Sequence, residues 1–290
     1  MKKGERKLEA ISKEEMIAFL EQGKPLVDIG NDYGVCVDTV YLYLKFLGIN
    51  FKDYFDYRAK YDIHIFDSIN TSDKAYWLGF LYADGCVRSG DINNSISLHL
   101  SSVDEDHIVK FKAFMKDTRD DSFIKHQTRT AASGRIQYMT TYSICNKHLK
   151  ESLTNLGCTP QKSLTLKFPD LSIFSDGNLV IDFIRGYIDG DGCLYADKVT
   201  GDLKAVSLRG TPEFLEGVMK IFPQFRIYSE VDKRTGRTQY KLSTWGKKAV
   251  EVVKTLYKNR ETSTYLTRKF NKIAYLFSDD QMKSGKDGEV

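Results

Sequence analysis

Two aspartates stand in matching settings 107 residues apart. Asp84 closes the segment AYWLGFLYADGCV (75–87), and Asp191 closes DFIRGYIDGDGCL (182–194). Each copy sets two small residues four apart, Gly79 and Ala83 in the first, Gly186 and Gly190 in the second. On a helix that spacing puts both small residues on one face. Two such faces can pack with their backbones nearly touching, because no side chain holds them apart. The other positions (Trp77, Leu78, Phe80, Leu81; Phe183, Ile184, Tyr187, Ile188) are apolar, so both helices belong in a core. Gly85 and Gly192 suit left-handed helix caps. A carboxylate at a helix C-terminus is electrostatically misplaced, because that end carries partial negative charge. Pairing the helices would crowd two carboxylates and two helix ends at one point. Either a carboxylate then takes up a proton or a cation sits among them. A hard divalent ion such as Mg²⁺, held by carboxylate and carbonyl oxygens and water, meets that need. One Asp-Gly alone reads as a turn; two in corresponding places argue for a site.

The elements that must carry these residues repeat as well. Gly79 and Gly186 share the 107-residue offset, while later features (Lys147 with Lys247, Ser163 with Ser263) align at 100. In the first half, alternation and caps predict strands near 86–88 and 95–100, a helix over 104–115, strands near 123–128 and 137–144, and a helix over 147–156. The second half reads likewise: strands near 193–195 and 203–208, a helix over 213–221, strands near 226–231 and 239–243, and a helix over 247–257. Each half is αββαββα, which makes the fold α+β with antiparallel sheets. The halves span 73–168 and 169–277.

Ahead of the repeat, residues 1–50 predict three short helices. The first ends near Gly23, and Pro25 suits the first turn of the second. Ile29 and Gly30 face inward, Gly34 makes a turn, and Val40, Leu44 and Leu47 bury one side of the third. This spacing resembles a helix-turn-helix, whose last helix would present Asp38, Thr39, Tyr41, Tyr43 and Lys45 to a DNA groove. Residues 51–72 form a connector, and the polar stretch 278–290 is expected to lack structure.

Composition adds bounds. No apolar run reaches the roughly 20 residues of a membrane span, and MKKGERKLEA lacks the apolar stretch of a secretory signal. The expected place is therefore intracellular, in the cytoplasm. Five scattered cysteines without a CxxC argue against a disulfide framework or zinc ribbon and read as reduced, mostly buried residues. Net charge is only +4, but its distribution is uneven. Residues 122–150 contain no Asp or Glu, and 226–248 hold seven Lys or Arg against Glu230 and Asp232. Both runs fall on the second predicted hairpin of a half, as a nucleic-acid-facing surface would require.

At WLGFLYADG (77–85) and IRGYIDGDG (184–192) the sequence resembles the LAGLIDADG homing endonucleases in their single-chain, two-motif form. The resemblance covers roughly residues 73–277. It implies two pseudo-symmetric halves sharing the motif helices, with saddle-like sheets laid on double-stranded DNA over a long asymmetric site. It implies a monomer that cuts both strands with Mg²⁺, or Mn²⁺ as a substitute. Asp84 and Asp191 would bind metal at the scissile phosphates, and the carbonyls of Ala83 and Gly190 would add ligands. A basic residue belongs near each phosphate. TPQKS (159–163) puts Lys162 there, whereas Arg260, Glu261 and Thr262 precede Ser263, so the second half is expected to lack that lysine. That departure leaves open whether both strands are cut equally fast. Candidates for DNA contacts on the strands are Arg88, His99, Lys125, Gln127, Arg129, Gln137, Thr140, Lys204, Arg209, Arg226, Tyr228, Lys233, Arg237, Gln239 and Lys241. A DNA-binding regulator without cleavage and an intron RNA maturase are competing readings on the same fold. Survival of both acidic residues favours activity. An intein role is not expected, since no splicing blocks flank the repeat.

Overall fold

The computed structural model describes residue 8 and residues 10–22, 24–51, 60–89, 94–130, 134–232 and 236–278. The chain divides into two compact units, residues 1–63 and 64–290.

Among the described residues the first unit holds three helices: α1 (Lys13–Glu21), α2 (Leu26–Asp32) and α3 (Val37–Phe46). Ser12 and Glu15 form a reciprocal capping box that fixes where α1 begins. Met16, Leu20, Ile29, Val40 and Leu44 are buried together. Gly34 turns the chain at φ 61°, a conformation that costs glycine nothing. Gly30 is needed for closeness: a Cβ there would lie 2.7 Å from the Val35 carbonyl oxygen. Two expectations change. Pro25 is the residue before α2 rather than part of its first turn. Tyr43 does not face outward; it is buried and its hydroxyl donates to the Ile11 carbonyl at 3.1 Å. The wide apolar side of α3 draws in the ring, and the hydroxyl finds a partner there.

The second unit is a repeat. Its first half runs α4 (Ser72–Asp84), β1 (Gly85–Val87), β2 (Ser95–Ser101), α5 (Glu105–Phe114), β3 (Ile124–Thr130), β4 (Ile136–Cys145) and α6 (Lys147–Asn155). The second runs α7 (Leu179–Asp191), β5 (Gly192–Ala196), β6 (Leu203–Gly210), α8 (Pro212–Ile221), β7 (Arg226–Val231), β8 (Thr238–Trp245) and α9 (Gly246–Leu256), followed by the short α10 (Thr267–Phe270). Each half forms one antiparallel sheet, in the orders β1-β2-β4-β3 and β5-β6-β8-β7. The predicted order of elements is borne out in both halves.

Alternation decides which side of each sheet is dry. Ile96, Leu98, Leu100, Tyr142 and Ile144 are buried in the first, and Leu194, Val206, Leu208 and Leu242 in the second. α5 packs on β2 and β4, and α9 on β6 and β8. Thr71, Asn146 and Thr211 cap α4, α6 and α8 through side-chain oxygens. The expected burial of the cysteines is corrected: only Cys158 is buried, Cys193 is half-buried, and Cys36, Cys86 and Cys145 are exposed. Cys86 and Cys193 each lie one residue past the motif on a strand position facing away from the core. Among the described residues, no helix is long and apolar enough to cross a membrane.

Candidate active site

The helices α4 and α7 pack along their whole length, and their small residues are what permits it. A Cβ on Gly79 would overlap the Phe183 carbonyl oxygen and lie 2.8 Å from its carbon. A Cβ on Gly186 would overlap the Tyr76 carbonyl oxygen and lie 2.9 Å from the Phe80 nitrogen. At the far end a Cβ on Gly190 would overlap that of Ala83 and come within 3.2 Å of Asp84 Oδ2. Gly79, Ala83, Gly186 and Gly190 thus form the interface, and Asp84 leans over Gly190 beside Asp191. The chain enters both helices side by side, through a bridge between Ile69 and Phe174.

Gly85 and Gly192 are not left-handed caps. Both are extended, with φ −70° and −83°. Glycine serves another need: a Cβ would lie 2.5 Å from the Leu81 or Ile188 carbonyl oxygen, because each strand leaves directly off its helix end.

The crowding of negative charge has a visible consequence. Burial, and next the charge of Asp191, push the Asp84 carboxyl up to about 6. Asp191 has a solvent-open surface but a well-packed surround, and desolvation raises its carboxyl too. Two lysines oppose this. Lys162 is buried and its ammonium donates to the Gly85 carbonyl. Lys269 is buried and donates to the carbonyls of Ile188, Gly190 and Gly192 at 2.8, 2.9 and 2.5 Å. Three N–H donors meeting three carbonyls fix Lys269 as an ammonium, although burial pulls its pKa down against the pull of Asp189 and Asp84.

Lys269 overturns the expectation that the second half lacks its lysine. It stands 107 residues after Lys162, the offset of the motifs themselves, and binds Gly192 as Lys162 binds Gly85. Aligning Ser163 with Ser263 looked seven residues too early, because the second half has a longer loop after α9. The same offset applied to Lys162 would have found it. The influence is crossed: of the two lysines, Lys269 bears more on the Asp84 carboxyl and Lys162 more on that of Asp191. Lys162 and Asp191 line one recess of about 580 Å³ together with Tyr187, Arg209 and Gln239.

Behind the acids lies a further, fully buried carboxylate that sequence reasoning missed. Asp189 accepts hydrogen bonds from the Tyr257 hydroxyl (2.5 Å), the Leu266 amide (2.8 Å) and the Tyr76 hydroxyl (2.9 Å). It ties α7 to α4 and to the loop that delivers Lys269. Arg268 clamps that loop to the first half through a two-pronged pair with Asp104, 2.7 Å at each prong. Thr264 adds bonds to Asp73. Asp189 gave no signal as part of a site, because its partners are 68 to 113 residues away in sequence.

The expected DNA contacts sort by face. His99, Lys125, Gln127, Arg129 and Gln137 share the side of the first sheet turned from the core, and Arg88 follows β1 on that side. In the second sheet Arg209, Arg226, Tyr228, Gln239 and Lys241 do the same. Arg209 is already engaged by Glu230 at 3.0 Å, and Gln239 by Asp232 at 2.9 Å. Arg237 is exposed in the turn before β8, and Lys233 lies outside the described residues. Thr140 is corrected: it is buried on the core side and donates to Ser102 and Glu105. Lys204 sits at a bulge that the ladder skips, 3.9 Å from Asp197. On α3, Tyr41 and Lys45 are exposed, while Thr39 is half-buried and touches the Cys36 sulfur at 3.2 Å.

Residues 178–273 match the model of the LAGLIDADG-like domain family. The first half repeats the strand order and the motif of that matched segment. The chain is similar to the homing endonuclease I-WcaI bound to its DNA recognition sequence (12% identity, 71% of this chain and 87% of that chain, TM-score 0.48). It is also similar to the LAGLIDADG meganuclease I-AabMI bound to uncleaved DNA (15% identity, 72% and 91%, TM-score 0.40). A probable translation initiation factor IF-2 of Methanocaldococcus jannaschii is 25% identical over 193 residues, 62% of this chain. The match spans only 14% of that relative's length.

Proposed function

We propose that this chain is a homing endonuclease: a site-specific enzyme that hydrolyses phosphodiesters in both strands of DNA with a divalent metal ion. One observation carries the reading. Two carboxylates converge at the shared end of α4 and α7, where the two sheets also begin, each sheet presenting a polar, basic face.

The donor set suits a hard cation. Among the described residues neither Asp84 nor Asp191 has a hydrogen-bond or ion-pair partner, and burial, with the Asp191 charge second, holds the Asp84 carboxyl at about 6 against the pull of the two lysines. Oxygen ligands of this kind fit Mg²⁺, with Mn²⁺ as a substitute. Asp84 and Asp191 would hold it, with the Ala83 carbonyl; the Gly190 carbonyl already accepts from Lys269 and would be shared. Such an ion supplies Lewis acidity, acidifying a bound water and offsetting charge on the phosphate. The remaining work belongs to the chain. Lys162 and Lys269 pin the helix ends so that the carboxylates keep their places, and their charges favour an incoming phosphate. At neutral pH Asp84 is mostly ionised and free to bind the cation. The side chains on the outer sheet faces position the duplex and read base edges. Both motifs lie in one chain, so a monomer suffices for two cuts at a long asymmetric site. The helices of residues 1–50 add DNA affinity as a helix-turn-helix.

The test is to incubate the chain and a library of duplexes with Mg²⁺ and sequence the ends produced. Cleavage at one extended site is expected, and Asp84→Asn and Asp191→Asn should abolish it while DNA binding persists. Undiminished cleavage by both variants would remove the metal assignment. Binding without cleavage by the unaltered chain would favour a regulator.

A further inference from the structure

Away from the paired helices, three side chains converge at the start of the second unit. His64 and Asp67 lie in one turn, closed by a bond from the Asp67 amide to the His64 carbonyl at 3.0 Å. His148 lies in the first turn of α6. His64 Nδ1 is 2.7 Å from Asp67 Oδ2, and His148 Nε2 is 2.8 and 3.0 Å from the two oxygens of the same carboxylate. The imidazole centroids are 4.5 Å apart. Two of the chain's five histidines thus point nitrogens at one carboxylate.

We propose that His64, Asp67 and His148 bind a borderline divalent transition metal, of which Zn²⁺ is the probe ion. Three observations point there. The ligand atoms all lie within 4.8 Å of one another. A tetrahedral zinc with bonds of about 2 Å separates its ligand atoms by a little over 3 Å. The nitrogen–oxygen distances present would therefore need to open by only a few tenths of an ångström. Next, the donors are two imidazoles and one carboxylate, a set suited to Zn²⁺, Co²⁺ or Ni²⁺ rather than to Mg²⁺. This chemistry differs from the all-oxygen pair of Asp84 and Asp191. Finally, the carboxylate is held from outside the set: Ser152, one helical turn beyond His148, donates to Asp67 Oδ1 at 2.7 Å. An outer hydrogen bond that orients a ligating carboxylate is a regular part of built metal sites. All three ligands are partly exposed, so solvent can fill the fourth position. In the metal-free form two ring protons bridge the same atoms; the ion takes their place and ties the turn 64–67 to α6.

The site is tested on the full chain carrying Asp84→Asn and Asp191→Asn, which removes the other carboxylate pair. The protein is stripped with a chelator and titrated with Zn²⁺ against a chromophoric competitor, and separately with Co²⁺. One equivalent of Zn²⁺ should bind, and the cobalt form should absorb in the visible without a thiolate charge-transfer band. His148→Gln and, separately, Asp67→Asn should abolish this binding with the circular dichroism unchanged. Ser152→Ala should weaken it about tenfold or more. Absence of an equivalent at tens of micromolar Zn²⁺, binding indifferent to His148→Gln, or a thiolate band would each overturn the assignment.

Discussion

At the scale of single residues, Asp84 is held in a form the folded chain disfavours. Its folded pKa lies near 6, above the ordinary value of about 4, so the native state binds this proton more readily than the unfolded state does. Linkage then has a definite sign: stability rises as pH falls through about 6, and the gain is complete near 4. Asp84→Asn mimics the protonated form. Urea denaturation in chelator should show the variant more stable by about 1–2 kcal/mol at neutral pH, allowing for partial exposure and relaxation. That advantage should vanish near pH 4; a constant difference across the range would refute the assignment of strain to this carboxyl. The lysines make a second residue-level prediction. Lys269→Met leaves three carbonyls without their donor, whereas Lys162→Met leaves that of Gly85. Lys269→Met should cost about 2–4 kcal/mol in the same assay, and more than Lys162→Met. Each substitution should also slow the cut of one strand at least tenfold, so that nicked circles accumulate from supercoiled DNA. Equal slowing of both strands by each variant would contradict the crossed arrangement.

At the scale of elements, the pairing of α4 and α7 rests on backbone contact, and its sensitivity is steep. Gly186→Ala places a methyl on the Tyr76 carbonyl, where neither partner can yield without separating the helices. A loss of about 3 kcal/mol or more is expected. Gly177→Ala, where an added Cβ meets nothing within 4 Å, should change stability by no more than about 0.5 kcal/mol. Comparable losses at both would show that the interface glycines act through chain entropy rather than contact. The elements themselves were legible in the sequence, because period-two alternation and capping residues are local signals. The exact role of Gly85 and Gly192 was not. Dipeptide chemistry suggests a left-handed cap, but the departing strand imposes extended backbone and leaves only the demand for no side chain.

At the scale of the whole molecule, the division at residues 63 and 64 separates a three-helix unit from the repeat that holds the candidate site. Deleting residues 1–50 should weaken DNA binding and reduce its salt dependence while leaving the chemistry intact. Loss of all cleavage by a folded deletion variant would contradict that division of labour. The sequence by itself determined the repeat, the αββαββα order, the small-faced helices and the pair Asp84 and Asp191, because each is written in spacing along one element. Only the tertiary structure decided the rest. Lys269 was hidden by a longer loop after α9, and it took the return of that loop against α7 to set it on Gly192 as Lys162 is set on Gly85. Tyr43 was polar enough to be read outward, yet its neighbours in space buried it. Asp67 meets His148 across 81 residues. Such convergence depends on how elements pack, and packing leaves no periodic trace in the residues it brings together.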